Sequence, residues 1–505
     1  MATASRTPAT RINQDLADYL SRLAPALLLA VILSAAAVLA WVDTGYLEIL
    51  PDDILSMEGS RQIAGGQWRL IFSPLMDHWL PLYRLVRLPF DLHFPEWYLG
   101  FHALIVGGHL ASTALLYALA RRYLGCPWAA LLTALLFAWS RVGKEALLWK
   151  VASPYALCWT FLLLATWSMT RKGTGWWVAS AAALCAAVGL YWPVVLAVPG
   201  LLLGVWLLEP EQRRKAVVVC VTVSGVAAVA WFLLVWPHLD PDRYWKIQGH
   251  PVAPPMRLAV AGLDTLRAYS HQLGLGVWSL AVLAALLALR RSVNARWILA
   301  VLAMTWPPLF AALAARQDAQ VWAISRYGYQ SYTLWAVALG ALFAALLSRL
   351  GAWPRWRAAL AAAAVLVAGL YLARQVQAAT ASRDFWRAHP PTQLSSWTAW
   401  DRFFELVSAR RVELGRPLQL PSVPLHPYLD VQELFVICHP RGLPGWVVHR
   451  GWFGTSKDHQ ELWEEVERAA SSIPGFLPLA RGVFSTGLHL HPVSPRNSAL
   501  PAPLR

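Results

Sequence analysis

Apolar residues along this chain neither alternate nor form narrow stripes; they come in long unbroken runs separated by compact polar turns. A run of about 20 residues, rising 1.5 Å per residue, crosses the roughly 30 Å hydrocarbon layer of a bilayer. The pattern predicts about eleven spans, near 23–42, 97–120, 128–140, 154–170, 176–190, 193–208, 216–236, 272–289, 297–314, 330–347 and 358–374. Several are short or interrupted by proline, so their ends carry a tolerance of a few residues. The fold class this implies is an all-α polytopic membrane protein.

The polar turns test that count. Arg11 and Arg22 precede the first span, Arg121-Arg122 follow the second, Arg171-Lys172 the fourth, Arg213-Arg214-Lys215 the sixth, Arg290-Arg291 the eighth, and Arg349, Arg355 and Arg357 the tenth. Every second turn is basic and short, as cytoplasmic turns are. One missed span would break the alternation. The expected layout is a cytoplasmic segment 1–22, a membrane domain 23–375 and an extracytoplasmic tail 376–505. The first run has no small-residue cleavage motif at its end, so it is read as an uncleaved span.

The turns on the other side differ. The first, about 43–96, is long; Ile54, Leu55, Met57 and Ile63 give it a short amphipathic piece, and Trp68–Met76 and Leu80–Phe90 give further interfacial pieces punctuated by Pro74, Pro81 and Pro89. In the tail, Trp397, Trp400, Phe403, Phe404 and Val407 recur at helical spacing, Leu434–Cys438 and Trp446–Val448 read as strands, and His459–Ala470 as a charged helix. The tail is therefore expected to be a small α/β domain with a disordered Pro- and Ser-rich end. No repeat of fixed period is found.

Composition agrees with the pattern: 57% hydrophobic and 14% charged, against about a quarter charged in soluble domains. The net charge of +15 suggests nucleic acid in isolation. Here the cations sit at the ends of apolar runs, where they set topology, so membrane lipids and not nucleic acid are the expected contact. Many of the 29 tryptophans lie at the same ends. The Ala-, Leu- and Arg-rich style suits a bacterial inner membrane. Five cysteines without a CxxC argue against a disulfide framework or a zinc site.

Candidate chemistry lies in the first outer turn. Asp52 and Asp53 follow shortly after the first span, and carboxylates at a membrane face are costly unless they meet a cation, a donor or a reacting group. One could take a proton from an attacking hydroxyl while its neighbour orients it or binds a cation; the competing reading is a helix cap. In Asp77-His78-Trp79-Leu80-Pro81-Leu82-Tyr83-Arg84, His78 and Arg84 could grip a phosphate, or Trp79, Tyr83 and Arg84 could anchor the loop at the interface. Arg141, Lys144, Glu145 and Lys150 in the second outer turn could steady a phosphate leaving group, or pair among themselves in water. Arg326-Tyr327 opens the tenth span, with Arg326 reaching inward to a phosphate or snorkelling to headgroups. His102 and His109 share a face of the second span; His102 is placed at the border of the site, His109 in packing. No ligand spacing specifies a metal, which stays unknown with a divalent cation open at the acidic pair. There is no P-loop and no dinucleotide fingerprint.

The acidic pair after the first span, the phrase Phe72-Ser73-Pro74 to His78-Trp79-Leu80-Pro81-Leu82-Tyr83-Arg84, the segment Lys144-Glu145-Ala146-Leu147-Leu148-Trp149 and the late Arg326-Tyr327 together resemble the GT-C glycosyltransferases. The likeness covers about residues 20–375. It implies a polytopic enzyme that uses a polyprenyl-phosphate-sugar donor on the outer face, with Asp52 or Asp53 as base. The second-loop Asp that many members carry has no counterpart except Glu145, which leaves metal use and acceptor open. The expected activity is inverting transfer of a sugar to a lipid, glycan or protein acceptor. The alternatives are a transporter or flippase for a lipid-linked glycan, or a non-catalytic assembly subunit; internal symmetry and mid-membrane broken helices, frequent in transporters, are not evident.

Overall fold

Proline lacks the backbone N–H that the first turn of a helix leaves without an intrahelical partner, and its fixed φ suits that turn. In the computed structural model of this chain, Pro81, Pro127 and Pro154 each open a helix, and Pro199 lies in the first turn of another. The structure describes residues 24–40, 56, 59–60, 62–73, 79–93, 97–140, 142–148, 150–236, 263, 293–314, 326–349, 366, 369–377 and 380. The expected spans near 272–289 and over most of 358–374, and the α/β tail, lie outside these residues.

The helices are α1 (Ala24–Ala40), α2 (Pro81–Leu92), α3 (Tyr98–Leu124), α4 (Pro127–Ala138), α5 (Pro154–Met169), α6 (Thr174–Leu190), α7 (Val198–Leu208), α8 (Arg213–Leu234), α9 (Val293–Ala314) and α10 (Gly328–Arg349), with a single turn at Glu145–Leu148. Among the described residues there is no strand. Helices stand where the sequence predicted the first seven spans and the ninth and tenth. The sixth is composite: a 3₁₀ stretch, Trp192–Ala197, precedes α7. Pro199 has no N–H to offer the Val195 carbonyl, which takes the Val198 N–H instead and tightens the join.

Among the described residues, three helical segments, Leu99–Leu124, Pro210–Leu234 and Gly328–Arg349, are long and apolar enough to cross a membrane, and shorter apolar helices accompany them. The chain is an integral membrane protein. α5 sits at the centre, packed on α3 and α6, with Trp159, Leu162, Leu163 and Ala165 wholly buried. α10 packs on α4 and α9, and α9 on α7. Without water to drive apolar faces together, such contacts depend on close approach. Gly200 and Gly204 provide it on α7: a Cβ at Gly200 would stand 2.2 Å from the Met304 nitrogen, and one at Gly204 3.0 Å from the Ala300 Cβ. α8 is the outlying helix, with Val221, Val226, Val229 and Phe232 exposed as a lipid-facing side.

Several polar side chains inside the bundle find partners. His109 Nδ1 lies 2.8 Å from the Tyr329 hydroxyl and Nε2 3.1 Å from the Ala138 carbonyl, which gives it the packing role the sequence assigned it. Thr113, Thr133, Thr166 and Thr305 each donate to the carbonyl four residues back.

The basic turns at 121–122, 171–172 and 213–215 share one end of the bundle. Arg122 holds Glu209 bidentately at 2.7 and 2.9 Å, and Lys172 meets Glu211 at 2.7 Å. Lys215 Nζ donates to the Ser168 and Arg171 carbonyls at 2.9 and 3.2 Å, closing the C-terminal end of α5. Arg296 reaches the Leu207 carbonyl at 3.3 Å. Over residues 98–234, the described basic turns thus mark every second change of helix direction.

Candidate functional site

At the opposite end, α2 turns its polar stripe inward. Tyr83, Arg87 and Asp91 fall at i, i+4 and i+8 and are buried, while Leu85 and Leu92 are exposed. An interfacial helix with lipid on its outer side and protein on its inner side has to be built this way round. Trp79, just before it, is buried and donates through Nε1 to the Phe72 carbonyl at 3.0 Å. Trp79 and Tyr83 are thus both enclosed by protein.

Arg87 and Asp91 form an ion pair one turn apart, Nε to both carboxylate oxygens at 2.9 Å, with side chains about 1% exposed. Ser60, also buried, donates to Asp91 Oδ2 at 2.7 Å. A second contact joins the same two segments: a Cβ at Gly59 would lie 3.3 Å from an Arg84 guanidinium nitrogen. Burial first, then the charge of Arg87, pushes the Arg84 pKa down to about 10, so the guanidinium stays charged at neutral pH at a cost that an anion beside it would relieve.

Tyr83 ties α2 to the second outer turn. Its hydroxyl donates to the Lys150 carbonyl, and Ser153 Oγ stands 2.6 Å from that carbonyl and 3.2 Å from the hydroxyl. Lys150 is buried with its ammonium 5.9 Å from the centre of the Phe101 ring, and its charge acts on His102. The second outer turn also meets the start of α10. Gly143, at φ +76°, brings its backbone so close to Tyr329 that a Cβ would stand 2.3 Å from the Tyr329 Cα. Tyr327 is buried edge-on to Tyr155 at 5.2 Å, and Tyr155 receives a hydrogen bond from the Tyr191 hydroxyl at 2.9 Å. Arg326 is half-buried over the Tyr327 ring at 5.1 Å, close enough for its charge to act on the Tyr155 hydroxyl.

Of the residues expected at the site, Arg84, Lys144, Arg326 and Tyr327 come to this end, and the backbone of Glu145 opens the single turn beside them. Asp52, Asp53, His78 and Arg141 lie outside the described residues. Sequence reasoning placed Lys150 in the group but passed over Ser60, Asp91, Ser153, Tyr155 and Tyr191. The Arg87–Asp91 spacing was a readable signal; the tyrosines gave none, because aromatic residues at span ends are ordinary interfacial anchors.

Chemically, this end joins Arg84, Arg87, Lys144, Lys150 and Arg326 to one described carboxylate, Asp91, which Arg87 and Ser60 already occupy. Such a setting suits an anion. Among the described residues no cluster of His, Cys, Asp or Glu fits a metal ion.

Residues 82–239 match the family model described as dolichyl-phosphate-mannose-protein mannosyltransferase, a family of the GT-C polytopic glycosyltransferases. The matched stretch begins within α2 and runs through α8, so it contains Tyr83, Arg84, Asp91 and Lys150. No curated protein matches the chain.

Proposed function

We propose that this chain, similar over residues 82–239 to the dolichyl-phosphate-mannose-protein mannosyltransferase family, moves a sugar from a polyprenyl-phosphate donor to an acceptor on the extracytoplasmic face. The observation that carries the reading is the meeting of three segments at one end: the residues after the acidic pair (Gly59 and Ser60), α2 with Arg84, and the second outer turn with Lys150. A base must reach the acceptor hydroxyl while a cation group meets the leaving phosphate, and these segments are the ones that supply the two.

In this mechanism Asp52 or Asp53 takes the proton of the acceptor hydroxyl. The freed oxygen attacks the anomeric carbon from the face opposite the phosphate, the carbon–oxygen bond to phosphate breaks, and configuration inverts. Arg84, Lys144, Lys150 and Arg326 balance the charge that collects on the departing polyprenyl phosphate, with His78 and Arg141 as further donors and Glu145 and Tyr327 at the edge of the pocket. Positioning and charge stabilisation provide most of the acceleration. The acceptor is a lipid, glycan or protein. About eleven spans, a cytoplasmic N-terminus and an extracytoplasmic tail in a bacterial inner membrane complete the proposal.

The test is transfer from a radiolabelled polyprenyl-phosphate-sugar pool by purified wild type, Asp52→Asn and Asp53→Asn. Loss in one variant with unchanged folding names the base. Full activity in both removes the acidic pair from the mechanism.

A further inference from the structure

We propose that Tyr155 and Tyr191 are positioning residues for the donor phosphate, holding the Arg326 guanidinium in a fixed relation to Lys150. The inference rests on the glycosyltransferase reading above.

A long cation serves a phosphate best when it is already held, because every rotamer-rich side chain that must be ordered on binding subtracts from affinity. Arg326 is held by a stack of rings. Its guanidinium carbon lies 5.1 Å from the centre of the Tyr327 ring, and that ring meets Tyr155 edge-on at 5.2 Å. Tyr155 packs beside Tyr191 with ring centres 4.3 Å apart, and its hydroxyl oxygen accepts from the Tyr191 hydroxyl at 2.9 Å. All three tyrosines are buried, at 4–5% exposure. Phenylalanine at 155 and 191 would fill the same space with no polar atom to satisfy, and replacing both partners of a buried hydrogen bond by apolar groups of the same shape changes stability little. The bond between the two tyrosines therefore adds direction more than strength. It fixes where the Tyr155 ring stands, and so the edge on which Tyr327 rests.

The start of α5 also governs Lys150. Ser153, two residues before Tyr155, donates to the Lys150 carbonyl at 2.6 Å. Gln330, near the start of α10, donates to the Cys158 sulfur at 3.0 Å and to the Tyr155 carbonyl at 3.4 Å, which pins the segment bearing Arg326 to the same place. Tyr191 is fixed separately, in extended backbone at φ −154° between α6 and the 3₁₀ stretch. Two cations far apart in sequence are thus referred to one helix start: Lys150 through Ser153, and Arg326 through Tyr327 and Tyr155.

Tyr191→Phe alone breaks the bond but takes the donor from a buried hydroxyl; Tyr155→Phe with Tyr191→Phe breaks it and leaves no polar atom behind. Binding of a fluorescent polyprenyl monophosphate to the full-length protein in detergent is measured for wild type, the double-Phe variant, Arg326→Gln and all three changes together, alongside thermal unfolding. The double-Phe variant is expected to unfold near the wild-type temperature and to bind roughly fivefold more weakly, and Arg326→Gln roughly tenfold more weakly. The triple variant is expected to bind no more weakly than Arg326→Gln, because residues that act through one group do not add. Where the double change lowers the unfolding temperature, Tyr191→Phe in both backgrounds carries the same comparison. An equal loss with and without Arg326 overturns the link between the tyrosines and the guanidinium. Unchanged binding in the double-Phe variant overturns the positioning role and leaves the glycosyltransferase reading standing. Full binding by Arg326→Gln removes the cation that the stack is said to hold, and the proposal with it. A wild type that binds no polyprenyl phosphate defeats the glycosyltransferase reading itself, and positioning falls with it.

Discussion

Arg84 and Lys150 carry the sharpest expectations at the scale of the residue. The Arg84 guanidinium binds an anion only when protonated, and its pKa is lowered to about 10, so its contribution is full at neutral pH and lost as pH rises through that value. Arg84→Gln is therefore expected to weaken donor binding at neutral pH, where the wild-type guanidinium is fully charged, as a direct binding measurement would show. Lys150→Gln removes a charged donor and is expected to weaken donor binding by roughly tenfold to a hundredfold, about 1.5–3 kcal/mol. Tyr83→Phe loses the hydroxyl that holds the Lys150 carbonyl, which is worth about 1 kcal/mol of stability by thermal unfolding. Of these residues the sequence disclosed the charges and not their setting. Arg84 was readable as a cation beside a membrane. That Tyr83 would be wholly buried depends on which side of α2 faces protein, and an amphipathic pattern alone does not say.

Helices were the most legible elements, because runs such as Pro154–Met169 are apolar on every side and leave no competing period. Joins between them were less so. The 3₁₀ stretch at Trp192–Ala197 needs two prolines read together, and the approach of Gly143 to Tyr329 bridges segments far apart in sequence. Two glycines separate local from tertiary causes. Gly125, at φ +63°, ends α3 in the left-handed region with nothing near its absent Cβ, so Gly125→Ala should cost roughly 1–2 kcal/mol from conformation alone. Gly143→Ala meets the same conformational cost and also the α10 backbone, and should lose roughly 3 kcal/mol or more. Thermal unfolding of the two variants in one detergent checks the order.

Across the whole molecule, charge sorts the two ends. One gathers Arg122, Lys172, Lys215 and Arg296 onto Glu209, Glu211 and helix carbonyls; the other gathers Arg84, Lys144, Lys150 and Arg326 around the candidate site. Reporter fusions after residue 172 and after residue 144 are expected to give opposite sides of the membrane, the first cytoplasmic. The Arg122–Glu209 pair, with Arg122 substantially exposed, should yield under about 1 kcal/mol on Glu209→Gln. Its value lies in which turns it brings together.

The attachment of α1 has a bearing on how the protein is made. Trp139 Nε1 donates to the Ile32 carbonyl at 3.1 Å across a sequence separation of 107 residues, and Ile32 and Ala36 are the buried face of a helix whose Leu27, Val31 and Val38 are exposed. At about 5–20 residues per second of synthesis, α1 waits roughly 5–20 s for that partner. It can wait in lipid unaided, since its inner backbone groups bond within the helix and its outer face is apolar. The ribosome therefore delivers α1 well before it has made the second outer turn, and assembly of the candidate site is a late event, completed only as α4 and the residues after it arrive.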